Sequence, residues 1–353
     1  MPSSSLFIKK GVVKKAFRGI SVQRVDFHTH FIPEHFPDMR KKYGGEGWPM
    51  LQHSAPCQAD IYAAGKPYRR IDERSWGPER RLRDMQAEGV DVQVLSPIPV
   101  TFAYGFSAQG VLELAQMQNE EIALVVSASP EHFIGLGTVP LQDPDSAARE
   151  VRRAVTTLGL AGVEIGTNVL GRNLDDPELE PFWQACEEVS AAIFAHPASV
   201  FAPERTSKYR LIFSVGYTSE TGIAASSIVM SGLLERRPSL RLCFAHGGGT
   251  FPWLLPRLDQ TWRTFDDVRS ALAQPPSQVA KQLSYDTLTY DPANLCVLID
   301  RLGSDRLLMG TDYPFPLREE PPGSVIDALT DLSEQERAAM LGRNALNFLG
   351  RTR

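Results

Sequence analysis

Two histidines spaced two residues apart follow an apolar lead-in near the start of the sequence. They stand in Val25-Asp26-Phe27-His28-Thr29-His30. Successive side chains on a strand point to opposite faces, so we expect both imidazoles to project from one face and Phe27 and Thr29 from the other. Two imidazoles on one face of a rigid strand make half of a tetrahedral or trigonal-bipyramidal metal site. This stretch therefore predicts metal chemistry if the chain supplies further ligands.

Three further residues with metal-binding or proton-transfer chemistry stand where other apolar runs end. They are His196 in Ala-His-Pro, His246 in Ala-His-Gly-Gly-Gly, and Asp312 in Gly-Thr-Asp-Tyr-Pro. The chain has seven histidines, and four of them fall at such ends. The other three, His35, His53 and His132, are expected in loops or on the surface. Random placement would rarely give this distribution, so the pattern indicates one site.

Eight short apolar, β-branched runs are typical of strands buried on both faces. They cover residues 25–30, 90–97, 133–141, 160–166, 191–197, 242–248, 282–289 and 306–314. Segments with helical spacing lie between them, and several open with Asp-Pro, a cap followed by a first-turn proline. These segments cover residues 78–88, 111–127, 143–158, 176–189, 220–235, 252–269, 291–302 and 333–349.

This alternation over about 325 residues predicts an α/β protein, a (β/α)₈ TIM barrel, with an open doubly wound sheet as the alternative. Neither a G-x-G-x-x-G stretch after the first strand nor a Walker A pattern is present, which argues against dinucleotide and P-loop folds. A TIM barrel has its active site at the carboxyl ends of its strands. The histidines and the aspartate described above are predicted to lie there.

The chain divides into a basic leader over residues 1–24, flexible or surface-packed, and a single barrel domain over residues 25–353. Residues 31–77 are predicted to be a long loop insertion after the first strand, rich in Gly, Pro and polar residues. A loop of this length in a compact enzyme is more often a lid or a substrate wall than a linker.

The composition is that of an ordinary globular protein, with 42% hydrophobic and 22% charged residues. The net charge of −5 argues against a generic nucleic-acid binder, which is usually basic. Four scattered cysteines with no C-x-x-C spacing indicate reduced thiols and a cytoplasmic location. No apolar run is long enough for a membrane span.

Imidazole and carboxylate ligands without a thiolate suit Zn²⁺, and also Mn²⁺ or Fe²⁺. One metal is favoured, because residues 160–166 contain no lysine that could be carboxylated to bridge a second ion. His246 is either a further ligand or a base beside the metal, and we favour the base. Asp312 is either a ligand or a proton acceptor, and the sequence does not separate these roles.

The motifs D-F-H-T-H, A-H-P, A-H-G-G-G and G-T-D-Y-P-F-P together resemble the amidohydrolase superfamily. The resemblance is to its branch of α-amino-β-carboxymuconate-ε-semialdehyde decarboxylase-like proteins. It extends over nearly the whole chain from Val25 onward and includes residues 85–94, 139–143, 251–262 and 312–317, which are not all catalytic. The signal is therefore specific to this branch.

The resemblance implies a metal-dependent, non-oxidative decarboxylase. The metal ligands that it implies are His28, His30, His196 and Asp312. His246 would activate metal-bound water, hydroxide would add to the conjugated substrate, and CO₂ would then leave. Related aromatic-acid decarboxylases imply an alternative, in which the metal binds carboxylate and phenolate directly and ring protonation precedes CO₂ loss.

The resemblance also implies substrate-binding residues and a homodimer. Arg69 matches a substrate-binding arginine of the long loop, and Arg257 matches one that reaches the neighbouring subunit's site. Arginines are the usual bidentate partners of carboxylates. The sequence departs from the family where a tryptophan is expected after the A-H-P motif, because Ala198 and Ser199 stand there. Tyr209 stands where another pocket tryptophan would be, which predicts an altered pocket wall.

We therefore expect a carbon–carbon lyase acting on a carboxylated muconate semialdehyde or a hydroxybenzoate-type acid, as in aromatic compound catabolism. The alternative is a hydrolase or hydratase of the same superfamily, acting on a lactone or an unsaturated dicarboxylate. A non-catalytic barrel with a vestigial site is a third hypothesis, and the complete set of ligand types argues against it.

Overall fold

Eight parallel strands form a ring in the computed structural model, which describes residues 24–351. We number these barrel strands β1 to β8. They are Val25–Phe31, Val92–Pro97, Phe133–Gly137, Gly162–Gly166, Ala192–His196, Arg241–Phe244, Ser284–Asp286 and Leu307–Leu308. Each strand pairs with the next along the chain, and a bridge between Thr29 and Tyr313 joins the end of β1 to the segment after β8. The predicted (β/α)₈ barrel is confirmed, and the open sheet is excluded.

Helices cover the outside of the ring, close to the predicted positions. The α-helices are Met39–Tyr43, Pro78–Glu88, Ala108–Ala128, Pro144–Thr156, Glu180–Glu188, Tyr217–Met230, Leu233–Arg236, Phe251–Thr264, Asp266–Ala271, Pro276–Val279, Pro292–Leu302, Ser324–Asp327, Glu334–Ala338 and Asn344–Phe348. Two π-helical turns, Ile212–Gly216 and Ala339–Arg343, continue into helices. The predicted helix over residues 252–269 is divided, because Phe265 is extended between two helices.

The helix starts follow the local chemistry of the sequence. Asp143 and Asp291 accept hydrogen bonds from backbone N–H groups of the first turn, and each is followed by a proline. Ser333 and Glu336 form the reciprocal side-chain bonds of a capping box. These caps satisfy N–H groups that lack an intrahelical partner. They explain why the predicted starts of these helices are accurate.

A bulge in β1 changes the predicted pattern of its side chains. Asp26 pairs with Gln93 and Thr29 pairs with Leu95, so β1 carries one residue more than β2 between these pairs. Phe27 consequently packs in the barrel interior, with its ring centroid 5.0 Å from that of Phe194. The prediction that Phe27 points away from the histidines was wrong, because a bulge interrupts the period of two. Thr29 does point to the outer face of β1, opposite the histidines, as predicted.

The outer face of β1 is fixed by a buried arginine. The Nη1 atom of Arg81 lies 3.3 Å from the hydroxyl of Thr29 and 3.0 Å from the side-chain oxygen of Gln93. Its Nη2 atom donates to the backbone carbonyl of His30. The strand that carries both histidines is thus held from behind as well as from within the barrel.

The insertion after β1 is more ordered than the predicted long loop. It contains a three-stranded antiparallel sheet of Met50–Ala55, Gln58–Ala63 and Lys66–Asp72. The second turn contains Ala64 and Gly65, both with positive φ, of 49° and 71°. This tight two-residue turn makes a β-hairpin, which the sequence analysis did not predict. The sheet places Tyr68 and Arg69 against the cavity described below.

No helix within residues 24–351 is long and apolar enough to cross a membrane.

Candidate metal centre and active site

Four predicted ligands converge at the carboxyl end of the barrel, and we call them the donor cluster. Its members are His28, His30, His196 and Asp312, whose donor atoms all lie within 4.8 Å of one another. The Nε2 atoms of His28 and His30 are 3.2 Å apart. The Oδ1 atom of Asp312 lies 3.1 Å from the Nε2 atom of His30 and 3.6 Å from that of His28. The barrel thus brings together residues from β1, β5 and the segment after β8.

The second ring nitrogen of each cluster histidine faces an acceptor. The Nδ1 atom of His28 lies 2.7 Å from a carboxylate oxygen of Asp286. The Nδ1 atom of His30 lies 3.4 Å from the carbonyl oxygen of Pro97, and that of His196 lies 2.9 Å from the carbonyl oxygen of Pro197. Metal-binding histidines usually donate their other N–H in this way, which directs the Nε2 lone pair at the ion. The arrangement therefore fits a metal centre.

Electrostatics also favour neutral imidazoles with free lone pairs. Burial lowers the pKa of His30 to about 4. Burial, followed by the neighbouring imidazoles, lowers the pKa of His196 well below its usual value. The Nε2 atom of His196 is buried and has no hydrogen-bond partner among residues 24–351. A buried polar atom without a partner is costly, and a divalent cation held by these donors would satisfy it.

His28 and Asp312 differ from these two residues because opposite charges adjoin them. Burial lowers the pKa of His28, but its hydrogen bond and its charge pair with Asp286 outweigh burial and raise that pKa. Burial raises the pKa of Asp312, but the hydrogen bond from His30 and the charges of the nearby histidines outweigh it and lower that pKa. Asp312 is therefore an ionised carboxylate, as a metal ligand must be.

His246 lies beside the donor cluster and is not a member of it. Its ring centroid is 4.9 Å from that of His196 and 5.4 Å from that of His28. Burial lowers its pKa below the usual value, so the imidazole is neutral and can accept a proton. His246 also lines the cavity. This placement favours the predicted base over a fourth histidine ligand.

The glycines after His246 allow the chain to turn closely past the helix that follows β5. His246 itself has a positive φ of 57°. A Cβ atom on Gly249, whose φ is 60°, would lie 2.0 Å from the carbonyl oxygen of Thr218. Only glycine fits such a backbone contact. Steric exclusion of a side chain thus explains why the sequence has glycine at position 249 in this corner of the site.

Two buried carboxylates that the sequence interpretation missed stand behind the histidines. Asp286 ends β7, and its side chain is fully buried. Glu164 lies in β4 with one carboxylate oxygen 3.9 Å from the Nδ1 atom of His30, and burial raises its pKa well above the usual value. An acidic residue at the inward position of an apolar strand was the available signal in both cases. Since β4 offers Glu164 and no lysine, the expectation of one metal is retained.

A cavity of about 920 Å³ opens from the site to the surface. It is lined by His196, His246 and Asp312, and by the predicted substrate residue Arg69. Its aromatic lining residues include Tyr68, Phe213, Tyr217, Trp253, Tyr290 and Phe315. This combination of cations and aromatic rings suits a planar, carboxylated molecule.

Phe315 separates Arg69 from the donor cluster. The guanidinium carbon of Arg69 lies 3.8 Å from the centroid of the Phe315 ring. His30 also stacks on that ring, with a centroid distance of 4.9 Å and an interplanar angle of 27°. The Nη1 atom of Arg69 is buried and has no hydrogen-bond partner within the described chain. Arg69 is thus an unpaired cation at a fixed place in the cavity wall.

Exposed residues form what we call the rim of the cavity. They are Tyr209, Arg210, Trp253, Tyr290 and Leu317. Tyr209 is 87% exposed, and both Tyr209 and Arg210 have a φ of 58°. The sequence predicted Tyr209 as a pocket residue, and it lies at the mouth. Ala198 and Ser199 instead line a second cavity of about 500 Å³. These two residues therefore do not alter the wall of the main cavity, although the sequence had predicted that they would.

Arg257 lies outside the cavity of its own chain. It is exposed on the helix Phe251–Thr264, and its side chain makes no ion pair or hydrogen bond with residues 24–351. It cannot be assigned to the site within one chain.

Comparisons with known proteins agree with this geometry. The amidohydrolase family model matches residues 25–351. The 2-amino-3-carboxymuconate-6-semialdehyde decarboxylase of Dictyostelium discoideum is 41% identical over 93% of this chain and 91% of its own length. The crystal structure of 5-carboxyvanillate decarboxylase from Sphingomonas paucimobilis has a TM-score of 0.78 and 25% identity, covering 94% of this chain and 100% of its own.

A further solved structure carries a metal. The 5-carboxyvanillate decarboxylase from Novosphingobium aromaticivorans, complexed with manganese and 4-hydroxy-3-methoxy-5-nitrobenzoic acid, has a TM-score of 0.74 and 23% identity. The match covers 93% of this chain and 96% of that chain. At this identity the likeness supports the fold.

Proposed function

The chain belongs to the amidohydrolase family, and on that premise we propose that it is a metal-dependent carboxy-lyase. Its substrate is a carboxylated muconate semialdehyde or a hydroxybenzoate-type aromatic acid. The observation that carries this proposal is the juxtaposition of the donor cluster, the neutral base His246 and the unpaired Arg69 around one cavity. A metal centre and a separate cation suit a substrate with two anionic oxygen groups.

Different residues of the chain have different roles in the reaction. Arg69 binds a carboxylate of the substrate with charge-assisted hydrogen bonds and thereby orients the conjugated system. A divalent metal in the donor cluster would supply a Lewis acid that stabilises negative charge on oxygen. The bond between the substrate carbon and its carboxylate breaks, CO₂ leaves, and a proton takes its place on that carbon. The neutral imidazole of His246 takes up this proton from water and transfers it to the carbon, as a general acid–base residue, and the hydroxide left behind is neutralised by the CO₂ released.

Three imidazoles and one carboxylate favour Zn²⁺, so we propose zinc as the native metal. Mn²⁺ is the competing ion, because a relative of the same fold binds manganese. Metal analysis of protein purified without added metal, followed by reconstitution with each ion, tests this assignment. Higher activity and affinity with Mn²⁺ would overturn it without affecting the carboxy-lyase proposal.

The reaction is tested with metal-loaded protein and a panel of carboxymuconate semialdehydes and hydroxybenzoates. Metal-dependent release of CO₂ from at least one acid is the expected result, and the His246→Ala variant serves as the control. Water uptake with no loss of carbon, from a lactone or an unsaturated dicarboxylate, would support the hydrolase or hydratase alternative instead. Bound metal without CO₂ release from any acid would contradict the proposal.

We further propose that the active unit is a homodimer in the cytoplasm, with Arg257 of each chain reaching the neighbouring site. Its exposure, and the absence of a partner for its side chain within residues 24–351, support this role. Two exposed free cysteines, Cys57 and Cys296, support a reducing compartment.

Complementation between two inactive variants tests the dimer. Mixed dimers of His246→Ala and Arg257→Ala chains contain one site with both residues intact if Arg257 acts across the interface. Activity in the mixture well above that of either variant alone is expected. A mixture with no recovered activity, or a protein that sedimentation shows to be monomeric, would contradict the shared site.

A further inference from the structure

We propose that Asp286 is a positioning residue that holds a metal ligand and the catalytic base in register through a single carboxylate. The proposal rests on the proposed function and deepens it. Asp286 does not line the cavity, since it lies behind the histidines and is fully buried. Its role is therefore to act through His28 and His246.

The carboxylate accepts four hydrogen bonds, and three of them come from two functional elements, the metal ligand His28 and the turn that begins at His246. Its Oδ2 atom accepts from the ring Nδ1 of His28 at 2.7 Å and from the backbone N–H of His246 at 2.8 Å. Its Oδ1 atom accepts from the backbone N–H groups of Gly247 at 2.7 Å and Leu288 at 3.1 Å. One oxygen thus links the ligand to the base, and the other joins the turn that follows the base to the segment that follows Asp286.

The position of the base depends on this link because its backbone is unusual. His246 has a φ of 57° and Gly247 a φ of 62°. A non-glycine residue in this region persists only where its surroundings hold it. The two hydrogen bonds from His246 and Gly247 to Asp286 supply that restraint, and they set the direction in which the His246 ring leaves the backbone.

Close backbone packing at Gly310 brings the two residues together. A Cβ atom on Gly310 would lie 2.6 Å from the Cβ of His28 and 3.2 Å from the Cβ of Asp286. The absence of a side chain at position 310 therefore lets His28 and Asp286 pack side by side against this strand end.

An amide cannot replace this carboxylate. Four donors need acceptors on both oxygens, whereas asparagine offers one acceptor oxygen and an NH₂ group. If the amide oxygen faces His28, its NH₂ group opposes the N–H groups of Gly247 and Leu288. If the amide is turned round, NH₂ opposes His28 and His246. Asp286→Asn therefore keeps the shape and loses one half of the restraint.

The experiment compares Asp286→Asn with Glu150→Gln as a matched control. Glu150 is also a buried carboxylate with several partners, including Asn119 at 2.7 Å and Arg153 at 2.9 Å, but it lies on an outer helix. Metal affinity is measured by competition with a chelator in the absence of substrate. The values of kcat and KM are then measured at saturating metal.

For Asp286→Asn we expect metal affinity to fall by roughly 10–100-fold, the usual effect of losing a supporting partner. At saturating metal, kcat should still fall by about tenfold or more, with KM within about threefold, because the base is misplaced while Arg69 still binds substrate. Glu150→Gln should lose thermal stability without either change. Unchanged metal affinity, or full kcat at saturating metal, would overturn the proposal.

Proton NMR of the unaltered protein gives a second test if Asp286→Asn does not fold. A short hydrogen bond from His28 to a buried carboxylate should give a far-downfield ring N–H signal that is absent in His28→Gln. The lack of such a signal would overturn the proposal. Both the NMR and the metal-affinity tests need no substrate, so their failure is distinct from a failure of the unaltered protein to release CO₂.

Discussion

The donor cluster and the rim lie at two depths of one cavity and are built in opposite ways. The histidines of the cluster are buried on strands, and the Nδ1 atom of each faces an acceptor. Residues of the rim are exposed, all but Trp253 on loops, and Tyr209 and Arg210 have backbone conformations that are uncommon for them. Strands hold atoms more accurately than loops, whereas loops vary with little cost to the fold.

This difference implies that one region determines the class of reaction and another determines the choice of substrate. The barrel fixes where charge is stabilised and where a proton is held, so it determines the class of reaction. The insertion and the rim determine which acid enters. Arg69 lies between the two, since it belongs to the insertion and is fixed against Phe315. Four substitutions test the distinction, from the deepest residue to the most exposed.

The largest effect is expected from His196→Ala. It removes a metal donor, so affinity for the ion should fall by more than the roughly 10–100-fold that loss of a supporting partner causes. CO₂ release should be undetectable. Metal content after dialysis and a radiometric CO₂ assay measure both. His35→Ala, which changes an exposed histidine of the insertion, should keep metal and activity.

His246→Ala should keep the metal and lose turnover. Loss of a general acid–base residue typically lowers the rate about 10²–10⁴-fold. Metal content and kcat, measured on the same preparation, separate this variant from His196→Ala. A near-normal kcat would refute the assignment of the base, and loss of the metal would make His246 a ligand.

Arg69→Ala should raise KM by about 10–100-fold, which corresponds to losing a charge-assisted hydrogen bond worth about 1.5–3 kcal/mol. Metal content should not change. The steady-state KM for the best acid of the panel is the measurement. Arg74→Ala is the control, because Arg74 is on the same insertion but is already paired with Asp72 at 2.7 Å. An unchanged KM for Arg69→Ala would place the substrate carboxylate elsewhere.

Tyr209→Ala should have the smallest effect, within about threefold in kcat/KM for the best substrate, because an exposed side chain contributes little. The order of kcat/KM values that the variant shows across the acids of the panel is the more sensitive measurement. A large loss of activity with all acids would show that the rim closes over the substrate and would break the distinction drawn above.

The sequence predicted the barrel and the donor cluster because both depend on local patterns. The candidate residues stand at or just after the ends of apolar runs, and parallel strands meet at one end of a barrel, so His28, His196 and Asp312 could be placed together without coordinates. The inward side of β1 was less predictable. The bulge depends on pairing with β2, and no pattern within residues 25–30 indicates the extra residue that turns Phe27 inward.

Asp286 and Glu164 were missed for a different reason. Each is a single acidic residue in an apolar run. Its function depends on the histidine of another strand that it contacts, which is His28 for Asp286 and His30 for Glu164. Such partners are distant in sequence, so only the fold reveals them. The turn between the last two strands of the insertion was missed because its Ala64-Gly65 pair is not among the residue pairs that usually indicate a two-residue hairpin turn.

The closure of the barrel between its first and last strands has a consequence for biosynthesis. The backbone N–H of Asp312 donates to the carbonyl of His28 at 2.9 Å, and that of His30 donates to the carbonyl of Tyr313 at 2.8 Å. The donor cluster therefore spans the seam between the first and the last barrel strands. On the ribosome, His28 and His30 are made long before their carboxylate partner, Asp312. A product that terminates before Asp312 lacks one donor of the centre and is expected to be inactive.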